Sequence, residues 1–140
     1  MKTIALSGGF DPTHVGHLRM MQEASKLGRV IIILNSDVWL MRKKGYIFMS
    51  YGERKEILEG FSCVSEVVSV DDSDNTVCEA IERLRPNYFG NGGDRKNDNV
   101  PEVDLCKKIE VELIWNLGGL KIQSSSDLVQ STLEITEKNP

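Results

Sequence analysis

The histidines His14 and His17 stand three residues apart in the segment Ser7-Gly8-Gly9-Phe10-Asp11-Pro12-Thr13-His14-Val15-Gly16-His17. At the start of a helix that spacing puts both imidazoles on one face of the first turn. Backbone N–H groups at a helix N-terminus lack partners within the helix and carry about half a positive charge, so phosphate binds there readily. Gly16 removes a side chain where a ligand must come close, and Gly8 and Gly9 do the same before the helix. The chemistry this suits is stabilisation of a phosphoryl group that gains negative charge in its transition state. As metal ligands the two histidines are half a zinc site, because neither a third histidine nor a nearby cysteine completes it. The loop matches neither G-x-G-x-x-G nor G-x-x-x-x-G-K-[ST].

Three further segments could meet such a phosphate. Asn35-Ser36-Asp37 is followed by the cations Arg42-Lys43-Lys44. A basic run is by itself an ordinary solvated loop, but this one stands between an apolar stretch and Tyr51-x-x-Arg54. Gly92-Gly93-Asp94-Arg95-Lys96 also follows a short apolar stretch. Ser124-Ser125-Ser126 precedes a helical pattern, where serine hydroxyls cap and the free N–H groups bind either a side-chain oxygen or a phosphate.

The elements that must position these residues alternate. Residues 3–6 are an apolar run ending at glycines, which predicts a buried strand. Val15, Leu18, Met21, Ala24 and Leu27 recur at helical spacing, with Gly28 as the expected C-cap. Residues 30–34 are an uninterrupted, mostly β-branched run, which predicts a strand buried on both faces. Ser50 and Glu53 form a capping-box pattern for a helix to about Phe61. There follow a strand over 66–70, a helix from Asn75 or Thr76 to near Arg85, and a strand over 87–89. A helix over 101–109 with Pro101 in its first turn, a strand over 111–115 and a closing helix over 124–133 complete the series. The alternation predicts an α/β fold with a Rossmann-like doubly wound parallel five-stranded sheet, one domain over 1–133 and a polar tail over 134–140. Ligands in such sheets gather at the carboxyl ends of the strands. The segments 7–17, 35–44 and 90–96 all read as loops at those ends, so they converge on one edge.

Composition bounds the partners. At 140 residues the chain suits one domain with a real core, with 40% hydrophobic and 27% charged residues. A net charge of −4 argues against a general nucleic-acid binder. Neither a span-length apolar run nor a signal-peptide pattern is visible, so no membrane partner and a cytoplasmic location are the expectation. Cys63, Cys78 and Cys106 are scattered and odd in number, which suits reduced structural thiols.

The pattern Gly8-x-Phe10-Asp11-Pro12-x-His14-x-Gly16-His17 resembles the first signature of the cytidylyltransferase-like nucleotidyltransferases. The resemblance extends to about residue 130 and is nearest to glycerol-3-phosphate cytidylyltransferase and the heptose-phosphate adenylyltransferases. It implies transfer of CMP (or AMP) from CTP (or ATP) to a phosphorylated polyol or sugar, with release of pyrophosphate. The first expectation is the glycerol-3-phosphate type, and the alternative is a heptose or sugar-1-phosphate adenylyltransferase. An alternative of another class is a nucleotide-binding regulatory module without turnover. Class I aminoacyl-tRNA synthetase chemistry lacks both the K-M-S-K-S sequence and room for an anticodon-binding domain.

Carried onto this chain, the resemblance gives His14, His17 and Lys44 catalytic roles. The nucleotide would be held by Gly8, Gly9, Phe10, Asp11, Gly16, Gly92, Asp94, Ser124, Ser125 and Ser126, and the acceptor by Asp11, Asp37, Lys43 and Lys44. Arg54, in the segment resembling E-R-x-x-[IL]-L, reads as structural. Mg2+ would be bound through the triphosphate, with no metal site of the protein's own, and the expected assembly is a homodimer. Two positions depart from the pattern. Gly9 stands where Ser or Thr is usual, and Asp127 and Leu128 follow the serines where several members carry a basic residue, a charge that Lys121 would replace.

Overall fold

The computed structural model describes residues 1–92 and 100–118. Asp94 and Ser124, Ser125 and Ser126, with the predicted closing helix and tail, lie outside the described residues. Within them five strands form one parallel sheet: β1 (Thr3–Gly8), β2 (Arg29–Leu34), β3 (Val64–Val68), β4 (Tyr88–Gly90) and β5 (Glu112–Ile114). The order is β3-β2-β1-β4-β5. Helices α1 (Val15–Ala24), α2 (Asp37–Lys44), α3 (Tyr51–Glu59), α4 (Cys78–Leu84) and α5 (Val100–Ile109) fill the connections. The chain winds outward from β1 to β3, crosses back to β4 and winds outward the other way. Right-handed crossovers then put helices on both faces of the sheet, which is the expected Rossmann-like doubly wound α/β architecture.

Side-chain alternation along the strands divides the core in two. Ile4 and Leu6 of β1 pack with Val30, Ile32 and Leu34 of β2 against Met21 and Ala24 of α1 and Leu58 of α3. Ala5 and Ile33 point the other way, toward Ala80 and Ile81 of α4, Phe89 of β4 and Cys106 of α5. The three cysteines are free thiols, and burial pushes the Cys106 thiol up to about 11, as suits a structural residue. Among the described residues no helix is long and apolar enough to cross a membrane.

Four local expectations change. Helix α1 ends at Ala24 with Ser25 as its C-cap, so Gly28 is not the cap. A Cβ there would lie 2.6 Å from the Lys2 carbonyl oxygen, which makes Gly28 a close-approach residue at the start of β2. Strand β3 begins two residues earlier than expected, because its ladder to β2 starts at Val64 and shifts register between Val30 and Ile31. Helix α3 stops at Glu59. Most relevant to the site, residues 35–44 are not a loop: Asp37–Lys44 is helical, with Ser36 as N-cap and Gly45 closing the helix at φ 82°.

Candidate functional site

Strand β1 runs into the histidine loop at the edge where β1 meets β4, across which the winding reverses. The loop is anchored from within. Phe10 is buried at a left-handed φ of 50°, uncommon for an aromatic residue. The Phe10 ring meets the His17 ring edge-on, with centroids 4.8 Å apart. Thr13 Oγ1 donates to the Phe10 carbonyl at 3.0 Å. Asp11 is fully buried, and its two carboxylate oxygens accept the backbone N–H groups of Phe48 and Met49. Asp11, expected at the nucleotide and acceptor, therefore holds the loop to the segment preceding α3.

The histidines cap α1 reciprocally. His14 is the N-cap residue, and its Nδ1 accepts the Gly16 N–H at 3.0 Å. His17 Nδ1 in turn accepts the His14 N–H at 3.1 Å. The rings stack with centroids 3.8 Å apart and an interplanar angle of 26°. Because both Nδ1 atoms accept, the proton of each neutral ring resides on Nε2. Two side-chain N–H donors are thus fixed beside the positive end of a helix. Gly16 matters here for its backbone donor as well as for its small size.

Helix α2 lies along this loop. Its N-terminus is held by Asp72, which follows β3. One Asp72 carboxylate oxygen accepts from Asn35 Nδ2 at 3.1 Å and Ser36 N at 2.8 Å, and the other from Ser36 Oγ at 2.8 Å. Burial works to raise the pKa of Asp72, but these hydrogen bonds together hold it below the ordinary carboxylate value. Arg42 reaches back to the Asp72 carbonyl at 2.7 Å and to Asn75 Oδ1 at 3.1 Å. Arg42 is therefore a brace between α2 and the segment after β3.

Arg54 is fully buried beneath the loop. It donates to the carbonyls of Gly9 at 2.8 Å, Asn35 at 2.9 Å and Met49 at 3.1 Å, and pairs with Asp37 at 2.7 Å. Asp37, expected at the acceptor, is thereby tied to Arg54. At the far end of α2, Lys44 Nζ donates to the Asp11 carbonyl at 3.1 Å. Partial burial lowers the Lys44 pKa, against the attraction of the Asp11 carboxylate and with the repulsion of Lys43 and Arg54. Lys43 stays exposed, with Nζ 5.1 Å from the centre of the Trp39 ring. Gly92 follows β4 beside α1, where a Cβ would lie 3.2 Å from Met20 Sδ.

The structure thus brings Gly8, Gly9, Phe10, Asp11, His14, Gly16, His17, Asp37, Lys43 and Lys44 to one edge. Asp72 and Trp39 were not singled out in the sequence. Asp72 lies in an acidic turn 36 residues from its partner Ser36, and no spacing rule connects the two. The geometry defines a Rossmann-like domain whose first strand feeds a helix N-terminus bearing two imidazole N–H donors.

A family model described as cytidylyltransferase-like matches residues 5–131, and the chain belongs to that family. The bifunctional protein HldE of Syntrophotalea carbinolica is 35% identical over 143 residues, covering 98% of this chain and 28% of that protein. HldE of Wolinella succinogenes is 36% identical over 121 residues, covering 84% of this chain and 25% of its own. The chain therefore spans about a quarter of the length of these relatives. Among solved structures, the lipopolysaccharide core biosynthesis protein from Thermoplasma volcanium superimposes with a TM-score of 0.67 at 23% identity. That match covers 82% of this chain and 95% of the other, and it supports the fold.

Proposed function

We propose that this chain transfers AMP from ATP to a sugar 1-phosphate and releases pyrophosphate. The acceptor phosphate oxygen attacks the α-phosphorus, the bond from that phosphorus to the bridging oxygen breaks, and pyrophosphate leaves. The protein has little covalent chemistry to perform, so positioning and charge stabilisation carry the rate. The Nε2–H groups of His14 and His17 donate to the α-phosphate oxygens as they gain charge. Lys44, freed from the Asp11 carbonyl, neutralises and aligns phosphates, and Lys43 adds a second cation. Gly8, Gly9 and Gly16 let the nucleotide approach the backbone. Asp94 with Gly92 is assigned to the nucleoside side, and Ser124, Ser125 and Ser126 to the leaving phosphates. Asp11, Asp37 and Phe10 act by holding the loop and α2 in place. Magnesium bound with the nucleotide would supply charge neutralisation on the triphosphate; of the described carboxylates nearest the loop, Asp11 is engaged by backbone amides and Asp37 by Arg54.

The observation that carries the reaction class is the reciprocal His14–His17 cap, which fixes both Nδ1 atoms as acceptors and both Nε2 atoms as donors. The acceptor reading moves from the glycerol phosphate expectation to its sugar phosphate alternative. Two things support that move: the resemblance of residues 92–96 to the heptose-phosphate adenylyltransferases, and similarity to HldE proteins, which we take as that same branch. A homodimer remains the assembly expected from the family, and light scattering of the purified chain tests it. The deciding assay is pyrophosphate release from ATP or CTP against sugar 1-phosphates and glycerol 3-phosphate. Release with ATP and a sugar 1-phosphate is expected. Preference for CTP with glycerol 3-phosphate would return the first reading, and no release with any pair would leave a binding module.

A further inference from the structure

Gly9 is the position where the chain departs from the Ser or Thr usual in its family, and the structure supplies a steric cause. A Cβ on Gly9 would lie 2.8 Å from Leu40 Cδ2 and 3.3 Å from Trp39 Cζ3. The first distance is shorter than real Cβ contacts allow, so any other residue at position 9 would have to displace the Leu40 side chain and crowd the Trp39 ring. Two stripes of α2 border the loop. Asp37, Leu40 and Lys44 form the stripe whose members meet Arg54, the Gly9 position and Asp11. Trp39 and Lys43, four residues apart, form the neighbouring stripe. The Trp39 ring is half-buried at the loop and carries the Lys43 ammonium 5.1 Å from its centre.

We propose that Trp39, with Lys43 poised on its ring, forms the acceptor-side wall of this site, and that Gly9 is glycine because that wall stands against it. The inference rests on the transferase reading above and assigns the part of the acceptor each residue meets. An indole face offers flat apolar surface to the C–H face of a sugar ring. A lysine held only by a π face is exposed and able to exchange that contact for a phosphate. An acyclic polyol phosphate has no ring face to lay on the indole, so the wall favours cyclic sugar phosphates.

The test uses the full chain and five variants. With ATP and a sugar 1-phosphate, Trp39→Ala is expected to raise the acceptor KM by about tenfold or more while the ATP KM stays within about twofold. Trp39→Phe should recover much of that loss. Gly9→Ser, which restores the usual family residue, should lower turnover instead of raising it, and Gly9→Ser with Leu40→Ala should regain part of it. Equal changes in both KM values, or an unchanged acceptor KM, would overturn the proposal. If only glycerol 3-phosphate supports turnover, the sugar reading fails, and the same KM comparison on that acceptor still decides whether Trp39 lines the site. Should no acceptor turn over, a Trp115→Phe chain leaves Trp39 as the sole tryptophan. Its emission must then respond to a sugar 1-phosphate added with ATP, and an unchanged spectrum sinks the idea.

Discussion

His14 caps α1 through Nδ1 and is assigned a donor role through Nε2, and substitution separates the two. Asparagine is a good N-cap but cannot place a donor where the imidazole Nε2 sits. His14→Asn is therefore expected to change stability by less than about 1 kcal/mol, read from thermal melting. Turnover should fall by about 10²–10³, the range for losing one donor to a developing negative charge. A variant that kept its pyrophosphate release would deny His14 that role. Lys44 offers a pH test. Burial is the main reason its pKa is lowered, so its ammonium is lost at lower pH than that of a free lysine. On the alkaline side, kcat/KM should begin to fall before the ordinary lysine pKa, because the free enzyme loses the charge there. The stability effect has the opposite sign: the cost of burying the protonated amine is relieved as pH rises toward the unfolded value. Lys44→Arg keeps a charge that does not titrate in this range, so its alkaline limb should move upward.

At the scale of elements, α2 was the part least legible in the sequence. Its apolar residues, Val38, Trp39, Leu40 and Met41, are contiguous, and only Leu40 is fully buried. A helix with so narrow a buried face shows no 3.6-residue repeat, and its basic last turn resembles a solvated loop. What stabilises it is the local Ser36 cap together with the Asp72 carboxylate and the Arg54–Asp37 pair, the last two contributed from elsewhere in the sequence. Arg54 could be read as structural from its place in a helix pattern, but not as the residue joining the loop, the end of β2 and α2. Replacing it with Ala leaves Asp37 and three carbonyls without their donor. We expect Arg54→Ala to cost about 3–5 kcal/mol, measured by urea unfolding. A loss under about 1 kcal/mol would mean the network closes around water instead.

For the whole molecule, the winding order makes the site. Because the chain returns across the sheet after β3, the loop after β1 stands beside the end of β4, where the winding reverses. Close packing on that side depends on Gly90, where a Cβ would meet Leu117 Cδ1 at 2.5 Å and Leu6 Cδ2 at 2.6 Å. Gly90→Ala should therefore destabilise the fold by about 1–3 kcal/mol through overpacking, seen as a lower Tm. An unchanged Tm would show that Leu6 and Leu117 yield freely. The sequence by itself determined the βαβ alternation, the sheet's parallel character and the glycine-rich histidine loop at the start of α1. Each of these is written in contiguous residues: apolar runs, glycines, the paired histidines. Only the tertiary structure decided that Asp11 and Asp37 serve as anchors, that α2 exists, and that Trp39 and Leu40 press on Gly9. Those outcomes depend on contacts between residues tens of positions apart, where steric fit and hydrogen-bond partners appear only once the sheet brings its edges together.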